Sequence, residues 1–288
     1  MISEEILPLV SVVVPIYNEE KYIRETLESI TNQDYKKLEI IVSDNYSSDQ
    51  TPIICREFSQ KDTRIFYYRQ PENTGALSNH VFAINKTTGK YLMIASGHDK
   101  WSENLISECV YLLERYNKST VAYGTPAWIG ENGKLLPKLT GWYDTRGLNP
   151  VGRFFMVFWG SMNPILGIHR RDTFPDIQDY NFAGSDLVIL AELALNGDFI
   201  HATRATFQRR QNRPAENYRE KLNRYKSEEV RIATTLFSKL CPLAKLPIQI
   251  TKVVFKAPIT FRQKIFIFFI LIPSFVARYF TGKEDHVK

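Results

Sequence analysis

The stretch Leu9–Glu19, LVSVVVPIYNE, decides the fold. Four valines in the five positions 10–14 make a short β-branched apolar run, which reads as a buried strand. Pro15 ends it, and the polar Tyr17-Asn18-Glu19 follows at once. Working outward, Ile23, Leu27 and Ile30 give Glu20–Ile30 a helical spacing, and Leu38–Val42 is a second strand ending at Ser43-Asp44-Asn45. Thr51–Phe58 returns to helix, with Pro52 in the first turn, where proline is tolerated. Ile65–Tyr68 is a strand, Ala76–Ile84 a helix broken by Gly89, Tyr91–Ala95 a strand, Leu105–Tyr116 a helix and Val121–Trp128 a strand.

Strands alternating with helices of this length imply βαβ units and a mostly parallel sheet, an α/β fold. Such sheets bind ligands beyond the carboxyl ends of their strands. The polar clusters Tyr17–Glu19, Asp44-Asn45, Asn73–Asn79 and Ser96–Asp99 all fall at or near strand ends, and so converge on that crevice.

Beyond residue 130 the pattern loosens. Glu131-Asn132-Gly133-Lys134 resembles a hairpin turn, and Arg153–Trp159 is unusually aromatic for a strand or a helix. Leu187–Leu195 is an amphipathic helix opened by Gly184-Ser185-Asp186 and closed by Asn196-Gly197. Pro214–Leu240 is a charged helix, and the Pro- and Lys-punctuated stretch 242–260 reads as a linker. Phe261–Phe280 is the last element. The spacing therefore divides the chain into a domain over 1–213 and a helical extension over 214–288.

At 288 residues the chain is long enough to bury a full core without staples. Cys55, Cys109 and Cys241 are odd in number and widely spaced, which suits buried thiols in a reducing compartment rather than disulfides or a zinc site. Met1–Leu9 lacks the basic start of a signal peptide, so the body of the protein is expected in the cytoplasm. The net charge of +6 is unevenly shared: residues 201–288 hold 18 Lys and Arg against 6 Asp and Glu, while residues 1–200 hold 19 against 25. A basic tail points to an anionic surface. Its cations alternate with aliphatic stretches instead of forming a base-reading motif, so nucleic acid is not the expected partner.

Ile265–Ala277, IFIFFILIPSFVA, has no charge over 13 residues. As a helix it would reach about 20 Å, against about 30 Å of bilayer hydrocarbon. A segment lying in the membrane interface, with the basic residues Arg262, Lys264 and Arg278 beside it, fits better than a span. The alternative is a helix packed on the main domain.

Five segments, Val10–Glu19, Ser43–Thr51, Asn73–Asn79, Gly89–Trp101 and Gly184–Asp186, together resemble glycosyltransferase family 2, inverting enzymes of the GT-A (Rossmann-like) fold. The likeness runs from about residue 9 to 210. It implies a nucleotide-diphosphate sugar donor, uridine- or thymidine-linked, and a carbohydrate or lipid-linked acceptor, as in polysaccharide assembly at the inner face of the cell membrane. Pro15, Tyr17 and Glu19 would cradle the nucleoside. Asp44 would accept a hydrogen bond from the pyrimidine imide, and Asn73, Gly75, Asn79 and Ser96 would line the donor pocket. Asp186 would be the general base that takes the acceptor proton.

Two departures from the family pattern stand out. The Glu-Asp pair usual before the base is here Ser185-Asp186. The Asp-x-Asp that holds Mn²⁺ or Mg²⁺ is replaced in Ser96-Gly97-His98-Asp99, which leaves His98 and Asp99 as metal-ligand candidates. His98 could instead be a cation that answers the diphosphate directly. Asp49 reads as the cap of the helix at Thr51. His169 and Arg170 are structural or acceptor-lining. Arg209, Arg210 or Arg213 could stabilise the leaving group. The eroded metal motif also raises a non-catalytic reading, a scaffold of the same fold.

Overall fold

The computed structural model of the chain describes residues 7–180, 182, 184–211 and 245–280. In chain order its strands are β1 (Val10–Ile16), β2 (Leu38–Asp44), β3 (Ile65–Arg69), β4 (Tyr91–Ile94), β5 (Lys100–Trp101), β6 (Ser119–Ile129), β7 (Ile168–Arg170) and β8 (Asp198–Arg210). The helices are α1 (Ile23–Thr31), α2 (Thr51–Lys61), α3 (Ala76–Asn85), α4 (Leu105–Arg115), α5 (Pro150–Trp159), α6 (Ser185–Asn196), α7 (Lys245–Lys256) and α8 (Phe261–Phe280).

All eight strands form one sheet in the order β3-β2-β1-β4-β7-β6-β8-β5. β1 runs parallel to both β2 and β4, with Ile16 opposite Asp44, so the polar loops after β1 and β2 leave the sheet side by side. Val10, Val12, Val13 and Val14 are fully buried, as the valine-rich run requires of a central parallel strand. β7 is antiparallel to β4 on one side and to β6 on the other. It is the seam between a parallel half, β3-β2-β1-β4, and a mixed half, β6-β8-β5. The sheet is thus less uniformly parallel than the strand–helix alternation suggests.

α6 is not amphipathic. Residues 187–191 and 193–195 are all buried, and Asp186 and Asn196 alone in the helix are exposed. The reason is a second core: Leu187, Val188, Ala191 and Leu195 pack with Phe154 and Phe158 of α5 and with Leu246, Ile250 and Val254 of α7. The supposed linker is therefore mostly helix. Its apolar positions Leu246, Ile250, Val253 and Val254 fall on one face, a spacing that the intervening lysines and Pro247 obscure. α8 closes this core with Ile267, Leu271 and Phe275, while Phe261, Phe266, Phe269, Ile270, Ile272 and Val276 stay exposed. One face of α8 thus packs on the domain, as the alternative reading of the tail expects, and the other is an exposed apolar surface. The charged helix proposed over 214–240 and Arg213 lie outside the described residues.

Candidate active site

The loops after β1 and β2 are bound to each other. Ser47 Oγ accepts from the Asn18 amide at 2.9 Å, Asn18 Oδ1 accepts from the Ser48 amide at 2.9 Å, and Thr51 Oγ1 accepts from the Glu19 amide at 2.8 Å. Asp49 receives the amides of both Glu20 and Thr51. It stands one residue before the N-cap of α2, Gln50, where it receives the first helical amide and also ties down the neighbouring loop. Among the described residues, Asn18 (φ 54°) and Tyr46 (φ 67°) are the non-glycine residues held at positive φ, one in each loop. Such conformations persist where surrounding contacts over-determine them, and they cluster at ligand sites. The Arg69 guanidinium lies 4.7 Å from the Tyr46 ring centre and helps to hold it.

Asp44 is fully buried at the end of β2. One carboxylate oxygen accepts from the Ser47 amide (2.8 Å) and the other from the Tyr67 hydroxyl (2.7 Å), with Arg69 Nε at 3.7 Å. Tyr17 is 47% exposed beside the half-buried Pro15, so its ring is available for stacking. Asn73 accepts from Asn45 Nδ2 and from the amide of exposed Gly75. Asn79 turns inward instead. Its amide nitrogen donates to Ser43 O (2.8 Å) and its oxygen accepts from Ser43 Oγ (2.6 Å), which pins α3 to the end of β2.

Ser96, half-buried, follows β4 and leads into Gly97-His98-Asp99. A Cβ on Gly97 would come within 2.7 Å of Ile16 Cγ2, so this turn passes β1 only as glycine. His98 donates through Nδ1 to Glu19 Oε1 at 3.0 Å. Burial pushes its imidazole down, but the Glu19 hydrogen bond and the charges of Asp99 and Glu19 outweigh this and hold it above its ordinary value. The Asp99 carboxyl faces inward, 2% exposed, and accepts from the Arg210 amide at 2.8 Å; burial pushes it up. With Asp99 turned in and hydrogen-bonded to the Ser96 side chain, and Glu19 occupied by His98, one imidazole nitrogen is what this turn leaves open. Among the described residues no three His, Cys, Asp or Glu side chains gather as a metal site. This donor set does not fit a hard divalent cation, which calls for several oxygen ligands.

Asp186 sits in the first turn of α6, set there by Gly184, whose φ of +86° is a left-handed conformation that glycine adopts without strain. Asp186 is exposed as a residue, yet the protein packed around it pushes its carboxyl upward, while the His80 and Arg209 charges pull it down. Solvent access tempers the rise. An upward shift suits a proton acceptor, since a strongly acidic carboxylate takes protons poorly.

Arg209 joins the two sides of the crevice. Its charge acts on His98, Asp99 and Asp186. Its Nη1 donates to Asn163 Oδ1 (2.9 Å), and its guanidinium lies 4.9 Å from the Trp128 ring centre. Arg210 next to it points the other way. It is 4% exposed and donates to His98 O, Gly130 O, Glu131 O and Glu25. Strand alternation separates the two arginines, one into the crevice and one into the fold.

His169 lies in the β7 seam, fully buried, with Nε2 on Ile165 O and Nδ1 unpartnered; burial pushes it down to about 4. Arg170 donates to Ser119 O and Tyr91 Oη, so both residues are structural here. Asn163 opens the segment Asn163–Arg170, which resembles the family's acceptor-side stretch, whereas His80 and Trp128 carry no motif signal of their own. Only the packing of α3 and β6 around Asp186 and Arg209 marks these two.

A family model described as glycosyl transferase family 2 matches residues 11–165. The chain is 39% identical over 102 residues to the glycosyltransferase GlyA of Streptococcus pneumoniae, a stretch covering 35% of this chain and 14% of that one. It is 33% identical over 109 residues to the putative teichuronic acid biosynthesis glycosyltransferase TuaG of Bacillus subtilis, covering 38% and 43%. These matches span less than half the length of either relative. The structure of S. aureus TarS 1-349 in complex with UDP-GlcNAc superposes with a TM-score of 0.65 at 17% identity, over 95% of this chain and 74% of that one. At that identity the likeness shows the GT-A fold.

Proposed function

The chain belongs to glycosyl transferase family 2, and from that premise we propose that it transfers a sugar with inversion from a uridine or thymidine diphosphate sugar to an acceptor hydroxyl. Asp186 supports this reading most directly: it is a solvent-reached carboxylate with a raised proton affinity, facing the charge of Arg209. In the proposed step Asp186 takes the acceptor hydroxyl proton as that oxygen attacks the anomeric carbon. The bond from that carbon to the diphosphate breaks on the opposite face, and its electron pair goes to the diphosphate oxygen. Arg209, with His98 held by Glu19, answers the charge that develops there. Tyr17 and Pro15 would flank the base and the Asn73–Gly75 turn would approach the sugar, while Asp44, buried and bonded on both oxygens, would meet the imide N–H only if Tyr67 or the Ser47 amide gave way. No step is assigned to a divalent cation.

Asp186→Asn is expected to lower transfer at least a thousandfold, measured as sugar transferred from UDP- and dTDP-sugars, with UDP affinity unchanged by calorimetry. Undiminished transfer would remove Asp186 from the chemistry. The altered Ser96-Gly97-His98-Asp99 turn motivates one other reading, a non-catalytic scaffold. Failure of both UDP and dTDP to bind would favour it.

The acceptor in this reading is lipid-linked or a growing surface polysaccharide, reached from the cytoplasmic side. Residues 1–213 form the transferase domain, and 214–288 bring it to the membrane. No helix among the described residues is long and apolar enough to cross a bilayer. The exposed Phe261, Phe266, Phe269 and Ile272 on α8, with Ile248 and Phe255 on α7 and the exposed Lys252, Lys256 and Arg262 beside them, support peripheral contact with anionic lipid. Phe269→Asp should cut flotation with phosphatidylglycerol vesicles about tenfold. Equal flotation of the variant would discard this contact.

A further inference from the structure

Outside the proposed donor pocket, the segment between β6 and α5 carries a feature that the transfer reading does not use. Trp128, near the end of β6, lies opposite Arg209 in the β6–β8 register. The Lys138 ammonium sits 4.0 Å from the Trp128 ring centre, and the Arg209 guanidinium lies 4.9 Å from the same centre. Two cations thus share one indole. Among the described residues neither makes an ion pair with a carboxylate; the polar partner of Arg209 is the neutral Asn163.

The segment is fixed in place. Leu136 N donates to Trp128 O, and Asn163 Nδ2 donates to Thr140 Oγ1 and Gly141 O. Asn163 therefore holds both the loop and Arg209. Farther along, Trp142 is 56% exposed and backed by the His201 ring, stacked at 4.3 Å and 19°.

We propose that Lys138, Trp128 and Trp142 form an acceptor subsite for an anionic glycan or polyol chain, one bearing phosphodiester or carboxylate groups, beside Arg209. The inference rests on the transferase reading of Asp186. The indole attracts each cation, but the two like charges repel each other, and an anion lying between them would offset that repulsion. A backed, exposed indole is the surface on which the C–H face of a sugar or polyol packs. In the proposed transfer step Arg209 and His98 answer the donor's diphosphate, which leaves Lys138 for an anion on the acceptor.

The test titrates the full chain with oligo(glycerol phosphate), oligogalacturonate and a neutral dextran oligomer, comparing wild type with Lys138→Glu, Lys138→Arg and the remote Lys37→Glu. At least one anionic oligomer should bind at least tenfold more tightly than dextran, and more weakly as salt rises. That affinity should fall at least tenfold in Lys138→Glu and stay within twofold in Lys138→Arg and Lys37→Glu. Which oligomer binds assigns phosphodiester or carboxylate as the anion. Dextran binding as tightly, no anionic oligomer binding, or Lys138→Glu changing affinity less than twofold would each overturn the subsite. Hydrolysis of the nucleotide sugar should be unaltered by the remote Lys37→Glu. Its absence in the wild type would instead fault the transferase reading.

Discussion

On one side of the β7 seam, the loops after β1 and β2 spend their polar groups on one another; on the other, Arg209 and Lys138 make no carboxylate ion pair among the described residues. Asn18, Ser47, Ser48, Asp49 and Thr51 form a closed hydrogen-bonded rim, and even the deep carboxylate of Asp44 has partners on both oxygens. Such a rim is preorganised: ligand binding there needs little reordering. Across the seam, Arg209 and Lys138 meet the Trp128 ring and Arg209 donates to the neutral Asn163, while Trp142 stacks on His201 and leaves its other face exposed. The contrast fits a site that grips one compact ligand class on one side and a longer, more variable one on the other.

The contrast can be broken most forcefully at Arg210, the latch between the halves. Arg210→Ala removes the donor of His98 O and Glu131 O and one of the partners of Gly130 O and Glu25, which keep Gly133 N and Lys100. The substitution should cost about 3 kcal/mol of stability in urea unfolding. A loss under about 1 kcal/mol would show that the halves are joined by other means. The seam itself should weaken with acid through His169. Its folded value is depressed to about 4 from 6.5, so its contribution is fully present above about 6.5 and is lost as pH falls toward 4. That loss is roughly 3 kcal/mol. Unfolding curves at pH 7 and pH 4 should differ by that much less in His169→Gln than in the wild type, and an equal difference would acquit the histidine. Arg209→Ala sharpens the comparison from the other side. Transfer should fall about a hundredfold, roughly 2.7 kcal/mol, with stability changed by under about 0.5 kcal/mol. A stability loss rivalling that of Arg210→Ala would mean that the two neighbours do not divide their labour.

The parallel half was legible because its signals are local. The valine run, the i, i+4 spacing of Ile23 and Leu27, and polar clusters at strand ends are all properties of a few consecutive residues. The mixed half hides its order in long-range pairing. β8 carries Thr, Arg and Gln on its exposed face and pairs with β6 across more than 70 residues, so no window of sequence reveals it. α7 was obscured by the lysines between its apolar positions. Among site residues, Asp44, Asp99 and Asp186 stand at recognisable places in recognisable segments. Whether each carboxylate faces ligand, backbone or solvent depends on neighbours far along the chain: Tyr67 for Asp44, Arg210 for Asp99, Arg209 for Asp186.

The sequence by itself determined the α/β class, the family and the segments that meet at the carboxyl ends of the strands, because apolar periodicity and motif order are written along the chain. Only the tertiary structure decided that Asp99 turns inward, that Asn79 holds the fold, that Arg209 and Arg210 part company, and that α8 buries one face and exposes the other. Each of these outcomes is a competition for hydrogen bonds, charge or apolar surface between residues distant in sequence, and only the packed fold settles it.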